Sequence, residues 1–174
     1  VKAASQSTPA LPLPRNEPFL PTADYVIFLD SSDLPNEDGS GPSACVWQIR
    51  TMDGRIVNDS EAKQSRTKCS DEKRALVAAL VGALEAVGDG SFCLVYATGT
   101  YITDGVKHAC NWKARGWRNS HNEPVASPDI WDRYLELLDN RDLEVRARSW
   151  KKEYCTELRR HLNERAKGAC GDRN

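Results

Sequence analysis

No two cysteines of this chain stand in a Cys-x-x-Cys spacing. The six, at positions 45, 69, 93, 110, 155 and 170, show no tight repeat, which argues against a zinc ribbon. No apolar run approaches the roughly 20 residues of a membrane-spanning helix, so no membrane partner is expected. A Gly-rich phosphate loop, a serine nucleophile elbow and a His-Glu-x-x-His helix are all missing, which removes the chemistries those motifs carry. His108, His121 and His161 are scattered over polar positions and read as surface side chains. One further absence is local: from Val106 to Asn122 there is no acidic residue.

What is present is ordinary globular material. The 174 residues are 28% charged and 40% hydrophobic, enough for one domain with a real core. The net charge of −1 conceals an asymmetry. From Asp30 to Glu72 nine acids face five bases, and from Arg146 to Lys167 eight bases face three acids. The basic second half suits a polyanion or, equally, a solvated helix face. Cys93 lies in an apolar run and reads as a small buried hydrophobe, and the six cysteines, without tight spacing, suggest a reducing compartment, nuclear or cytoplasmic.

Residues 1–22 carry Pro9, Pro12, Pro14, Pro18 and Pro21 and read as an extended tail or linker. The domain is expected over residues 23–170, with a disordered tail at 171–174. Asp24 to Asp30 reads as a buried strand, Ser31 to Pro42 as a polar loop, and Ala44–Thr51 with Arg55–Gln64 as a hairpin turned by Asp53-Gly54. A helix capped by Ser70 runs to about Val87, where Gly88 stops it. Leu76, Leu80, Ala83, Leu84 and Val87 form its apolar stripe. Phe92–Ala97 is a second buried strand, followed by a helical stretch from Thr100 or Thr103 to His108. Pro128, with Ser127 as cap, opens another helix. Leu143–Ser149 alternates as a half-exposed strand, and Thr156 caps a last helix through about Lys167.

Asn111-Trp112-Lys113-Ala114-Arg115-Gly116-Trp117 interleaves two tryptophans with two cations and a glycine, with Lys107 and Arg118 close by. Exposed tryptophan beside cations suits a nucleic-acid handle. A helix with its tryptophans in the core and its cations in water fits the same pattern.

Taken in order, several landmarks resemble a ribonuclease H domain across Tyr25 to Ala169. They are Tyr25-Val26-Ile27-Phe28-Leu29-Asp30, Arg74-Ala75-Leu76, Leu94-Val95-Tyr96-Ala97-Thr98-Gly99, the Trp-rich segment, Ile130-Trp131 and Asn163-Glu164-Arg165-Ala166. The resemblance implies an α/β, ribonuclease H-like fold: a five-stranded mixed sheet flanked by helices. It also implies that Trp112, Lys113, Arg115, Trp117 and Arg118 form the family's basic protrusion, which grips the DNA strand of an RNA–DNA hybrid.

The family hydrolyses phosphodiesters with two metal ions held by carboxylates. Its acids come from the first strand, the first helix, the end of the next long strand and the last helix. At those places stand Asp30, Leu76, Thr98 and Asn163. Glu72 lies one turn before Leu76, a shift of about 5–6 Å that a two-metal site does not tolerate. Asp71 and Glu72 also occupy the start of the helix where the family contacts phosphate, so repulsion is expected there. The expectation is therefore a catalytically inactive domain with vestigial Asp30, Leu76, Thr98 and Asn163 and no cofactor. It would serve as a protein-interaction or assembly module, with weak sequence-independent binding of duplex or hybrid through the protrusion and the basic last helix. The alternative is an active RNA–DNA hybrid ribonuclease with rearranged metal ligands that needs magnesium.

Overall fold

A computed structural model describes residues 22–67, 71–150 and 156–171. The elements run β1 (Tyr25–Asp33), β2 (Gly41–Arg50), β3 (Ile56–Asp59), β4 (Lys63–Thr67), α1 (Glu72–Glu85), β5 (Phe92–Ala97), α2 (Tyr101–Ala114), α3 (Pro128–Arg141), β6 (Glu144–Ser149) and α4 (Thr156–Gly171). The sheet order is β3-β2-β1-β5-β6, with β4 also on β2. β1 pairs antiparallel to β2 and parallel to β5, and β5 is parallel to β6. This is the mixed α/β sheet expected, with the hairpin's second arm split in two.

The split has a local cause. Ser60 is buried, and its hydroxyl bonds both the N–H of Trp47 at 2.8 Å and its carbonyl at 2.9 Å. The chain bends there, so Arg55–Gln64 is not one strand. The expected polar loop from Ser31 also begins later, because Ser31, Ser32 and Asp33 stay paired with Cys45, Ala44 and Ser43.

The continuous apolar runs of β1 and β5 follow from burial on both faces. Ile27, Leu29, Cys93, Val95 and Ala97 pack with α1 and α3. Val26, Phe28, Leu94 and Tyr96 pack with Leu162 and Ala166 of α4. Asp30 is in step with Val26 and Phe28, which puts it on the α4 side of the sheet.

The stripe of α1 is buried as expected, including Leu76 at 4% exposure. Its N-cap is Asp71, whose side chain accepts from the Arg74 N–H at 3.0 Å; Ser70, the expected cap, lies outside the described residues. Ser127 precedes α3 at φ 53 without a side-chain capping bond, and Pro128 opens the helix. α4 extends to Gly171, past Lys167. Most of residues 1–22, and 172–174, lie outside the described residues.

α2 is longer than expected and carries Trp112 and Lys113 within it. It meets α3 at Gly105, where a Cβ would stand 2.0 Å from the indole of Trp131. That fully buried indole lies edge-on to Tyr101, Trp112 and Tyr134 at 5.8, 6.1 and 5.4 Å.

Candidate active site and nucleic-acid interface

Parallel strands leave a crevice beyond their carboxyl ends, where ligands of open α/β sheets bind. Here β1 ends past Asp30, and Thr98 follows β5. α4 and the start of α1 close the sides. The result is a cleft of about 360 Å³ lined by Asp30, Glu72, Thr98, Arg159, Arg160 and Asn163. Three of the four positions at which the family resemblance seeks acids, Asp30, Thr98 and Asn163, therefore meet in one place. Leu76 does not line this cleft; it sits in the core and borders a neighbouring hollow.

Glu72 is the residue that sequence reasoning rejected. Its position is set by Ser31, whose hydroxyl donates to the Glu72 carbonyl at 3.0 Å and pins the start of α1 beside the end of β1. One turn along a helix is a large offset in the abstract, yet here the helix start itself borders the crevice. Asp71 does not point its charge at an incoming phosphate alone, because it is engaged in capping α1.

Asp30 is 2% exposed. Its Oδ1 accepts the Ser31 N–H at 2.8 Å. Its Oδ2 has no partner in hydrogen-bond geometry among the described residues, although the Asn163 amide lies near enough to act on the carboxyl. Burial raises the carboxyl's pKa above its ordinary value, opposed by the Ser31 N–H, Asn163 and the charges of Arg159 and Lys167. Glu72 is raised too, by burial first and then by the like charges of Asp33 and Asp30. Asp30 is thus buried and Glu72 exposed at the cleft's rim, with Arg159 and Arg160 lining the same space.

Asp30 and Glu72 are the cleft's two carboxylates, with Arg159 and Arg160 lining it beside them, so a hard divalent ion there would have to be completed by water or phosphate oxygens. Asp30 offers an unused buried oxygen, Glu72 a second carboxylate, and Thr98 and Asn163 neutral oxygens. Among the described residues no three His, Cys, Asp or Glu side chains cluster in a way that could hold a metal ion, so the cleft brings two carboxylates and no third.

Leu76→Glu tests the neighbouring hollow. In chelator the new carboxylate lies in an apolar stripe, and the variant is expected to lose on the order of 1–3 kcal/mol in a urea melt. Adding magnesium should recover part of that loss, since position 76 borders the same hollow as Glu72 and Thr98.

The Trp-rich segment combines both readings open in the sequence. Trp112 and Trp117 are half-buried and packed against the core. Trp117 sits at φ 63 after Gly116 at φ 70, and its N–H returns to the Trp112 carbonyl at 2.6 Å. The cations face outward: Lys113 pairs with Asp132 at 2.7 Å, Arg118 donates to the Asn122 carbonyl at 2.9 Å, and Arg115 is exposed. The tryptophans are thus largely architecture, and the charges form the surface.

A mixed sheet with Asp30 and Glu72 in the crevice at its parallel strand ends, flanked by four helices, is the arrangement of a ribonuclease H-like domain. The family model for RNase H matches residues 22–147, and the chain belongs to that family. A protein named Ribonuclease H from Photorhabdus luminescens is 28% identical over 140 residues, covering 77% of this chain and 85% of that protein. Ribonuclease H of Paracoccus denitrificans (strain Pd 1222) is 32% identical over 95 residues, 53% of this chain and 61% of that protein. The chain thus spans less than two thirds of the Paracoccus relative. Among solved structures, the foamy viral protease-reverse transcriptase in complex with RNA/DNA hybrid superposes with a TM-score of 0.70 at 13% identity, over 95% of this chain and 22% of that one. RNase H1 from Halobacterium salinarum NRC-1 gives 0.53 at 19% identity, over 83% and 97%.

These relatives correct the expectation of an inactive interaction and assembly module without a cofactor. They carry the name of an enzyme, and nothing in them points to a pseudoenzyme. Glu72, set aside in the sequence for lying one turn before Leu76, lines the cleft with Asp30.

Proposed function

We propose that this chain is a ribonuclease that hydrolyses the RNA strand of RNA–DNA hybrids at the Asp30–Glu72 cleft, using one divalent ion such as magnesium. The observation that carries this reading is the buried Asp30 carboxylate, with an unpartnered Oδ2, sharing a cleft with Glu72. The foamy viral neighbour, solved with an RNA/DNA hybrid, supports the substrate class.

In this reading Asp30 and Glu72 would hold the ion, with Thr98 and Asn163 beside them in the cleft. The ion, when bound, supplies Lewis-acid polarisation of the phosphoryl oxygen and of the attacking water. Water oxygen adds to phosphorus, the ester P–O bond breaks, and the leaving oxygen departs as an alcohol carrying a proton from water. Arg115, Arg118 and, once released from Asp132, Lys113 contact backbone phosphate from the protrusion, with Trp112 and Trp117 holding the loop in shape.

The test is a labelled RNA–DNA hybrid incubated with the purified chain. Cleavage of the RNA strand is expected with magnesium or manganese and none in chelator, with duplex DNA left intact. An uncut hybrid in both metals would overturn the reading. Replacing Lys113, Arg115 and Arg118 with Ala should weaken hybrid binding and flatten its salt dependence by about 0.7–0.9 in log–log slope for each phosphate no longer neutralised. Unchanged slope would remove the protrusion from the interface.

A further inference from the structure

α4 carries two adjacent stripes. Leu162, Ala166 and Cys170 are buried, the first two beneath β1 and β5. Beside them Arg159, Asn163 and Lys167 recur at i, i+4 and i+8, so they share a neighbouring face. Arg159, Arg160 and Asn163 line the cleft with Asp30 and Glu72. Among the described residues none of Arg159, Arg160 and Lys167 is in an ion pair within 4.0 Å, unlike Arg165 of the same helix, which pairs with Asp59 at 2.8 Å. The charge of Lys167 is felt by both Asp30 and Glu72.

Charge decides what such a stripe does. One divalent ion neutralises Asp30 and Glu72 and leaves nothing over for a phosphodiester. In-line displacement at phosphorus concentrates negative charge on the phosphoryl and leaving oxygens, and catalysis rests on positive groups fixed around them. A second ion lacks carboxylates to hold it in this cleft. The cations of α4 stand beside the same carboxylates, without ion-pair partners among the described residues.

We propose that Arg159, Arg160 and Lys167 form a phosphate clamp that seats the nucleic-acid backbone at the cleft and supplies fixed positive charge where a second metal ion has no ligands. This rests on the hydrolase reading of the Asp30–Glu72 cleft for its catalytic part, and on charge and geometry alone for its binding part. The clamp residues are positioning residues for the phosphate. Their number also explains why an acid-bearing cleft accepts a polyanion.

The experiment uses the full chain and a short fluorescein-labelled RNA–DNA hybrid. Hybrid affinity is measured by anisotropy in chelator across a salt series, and magnesium affinity by calorimetry without nucleic acid. For the Arg159→Met, Lys167→Met double variant, hybrid affinity should fall about tenfold or more and the salt slope by about 1.4–1.8, the value for two phosphates no longer neutralised. Magnesium affinity should move the opposite way, rising several-fold as the repelling charge of Lys167 disappears. A merely structural role would not produce opposite signs. Arg165→Met, on the same helix but paired to Asp59, should leave hybrid affinity unchanged. Wild-type slope and affinity in the double variant overturn the clamp, as does a wild type that binds no hybrid at low salt. A wild type that binds hybrid but cleaves it in neither metal overturns the hydrolase reading, while the salt slope still decides the clamp.

Discussion

Asp30→Asn is expected to slow hybrid cleavage by orders of magnitude while leaving the fold at least as stable as the wild type. The asparagine keeps an oxygen for the Ser31 N–H, which Asp30 Oδ1 holds at 2.8 Å. It removes the charge that would bind the ion. The rate loss should be on the order of 10²–10³-fold, the scale of deleting one preorganised electrostatic group. Stability moves the other way for a linked reason. Desolvation by burial raises the folded-state pKa of Asp30 above its ordinary 3.8. An acid with a raised folded pKa is penalised when ionised: stability falls as pH climbs from 3.8 through the raised value, and the full penalty stands above it. The neutral amide escapes that penalty at pH 7. Urea melts at pH 4 and pH 7 should therefore show the variant gaining on the wild type as pH rises. Lower stability at pH 7, or retained cleavage, would count against Asp30 as a strained functional carboxylate.

Trp131→Ala is expected to cost about 3–5 kcal/mol, the range for truncating a large buried aromatic. Against a total stability of roughly 5–15 kcal/mol this brings the domain near unfolding. The indole is 0% exposed, lies edge-on to Tyr101, Trp112 and Tyr134, and donates its N–H to the Tyr101 hydroxyl at 3.1 Å. Because Trp112 leans on it, the protrusion should loosen before the sheet does. Hydrogen exchange should show Lys113–Trp117 losing protection ahead of Ile27–Leu29. Gly105→Ala probes the same joint from the opposite side, since its methyl would fall 2.0 Å from the Trp131 ring. A melt unchanged in either variant would mean that α2 and α3 do not meet there.

Much of the frame was legible because it depends on short-range pattern. The apolar runs of β1 and β5 read as buried strands, and they are buried on both faces. The stripe of α1 read as core, and Leu76 lies in it. The ordered landmarks pointed to the ribonuclease H family, and its model matches residues 22–147. The errors fell where a particular side-chain hydrogen bond, distant or local, fixed the backbone. Ser60 breaks the expected strand because it bonds the backbone of Trp47, thirteen residues earlier. Asp71 takes the capping role expected of Ser70.

The sequence by itself determined which residues could form strands and helices, where the charge asymmetry falls, and that Asp30 lies in the first strand. Those follow from period, propensity and composition, which act over a few residues. Only the tertiary structure decided which residues line the cleft. Glu72 reaches the cleft because Ser31 ties the start of α1 to the end of β1 across forty-one residues. Arg159, Arg160 and Asn163 reach it because the buried stripe of α4 docks under the sheet and turns the next stripe toward Asp30. A metal or phosphate site is a meeting of charges in space, and Coulomb interaction depends on distance through the fold, not along the chain.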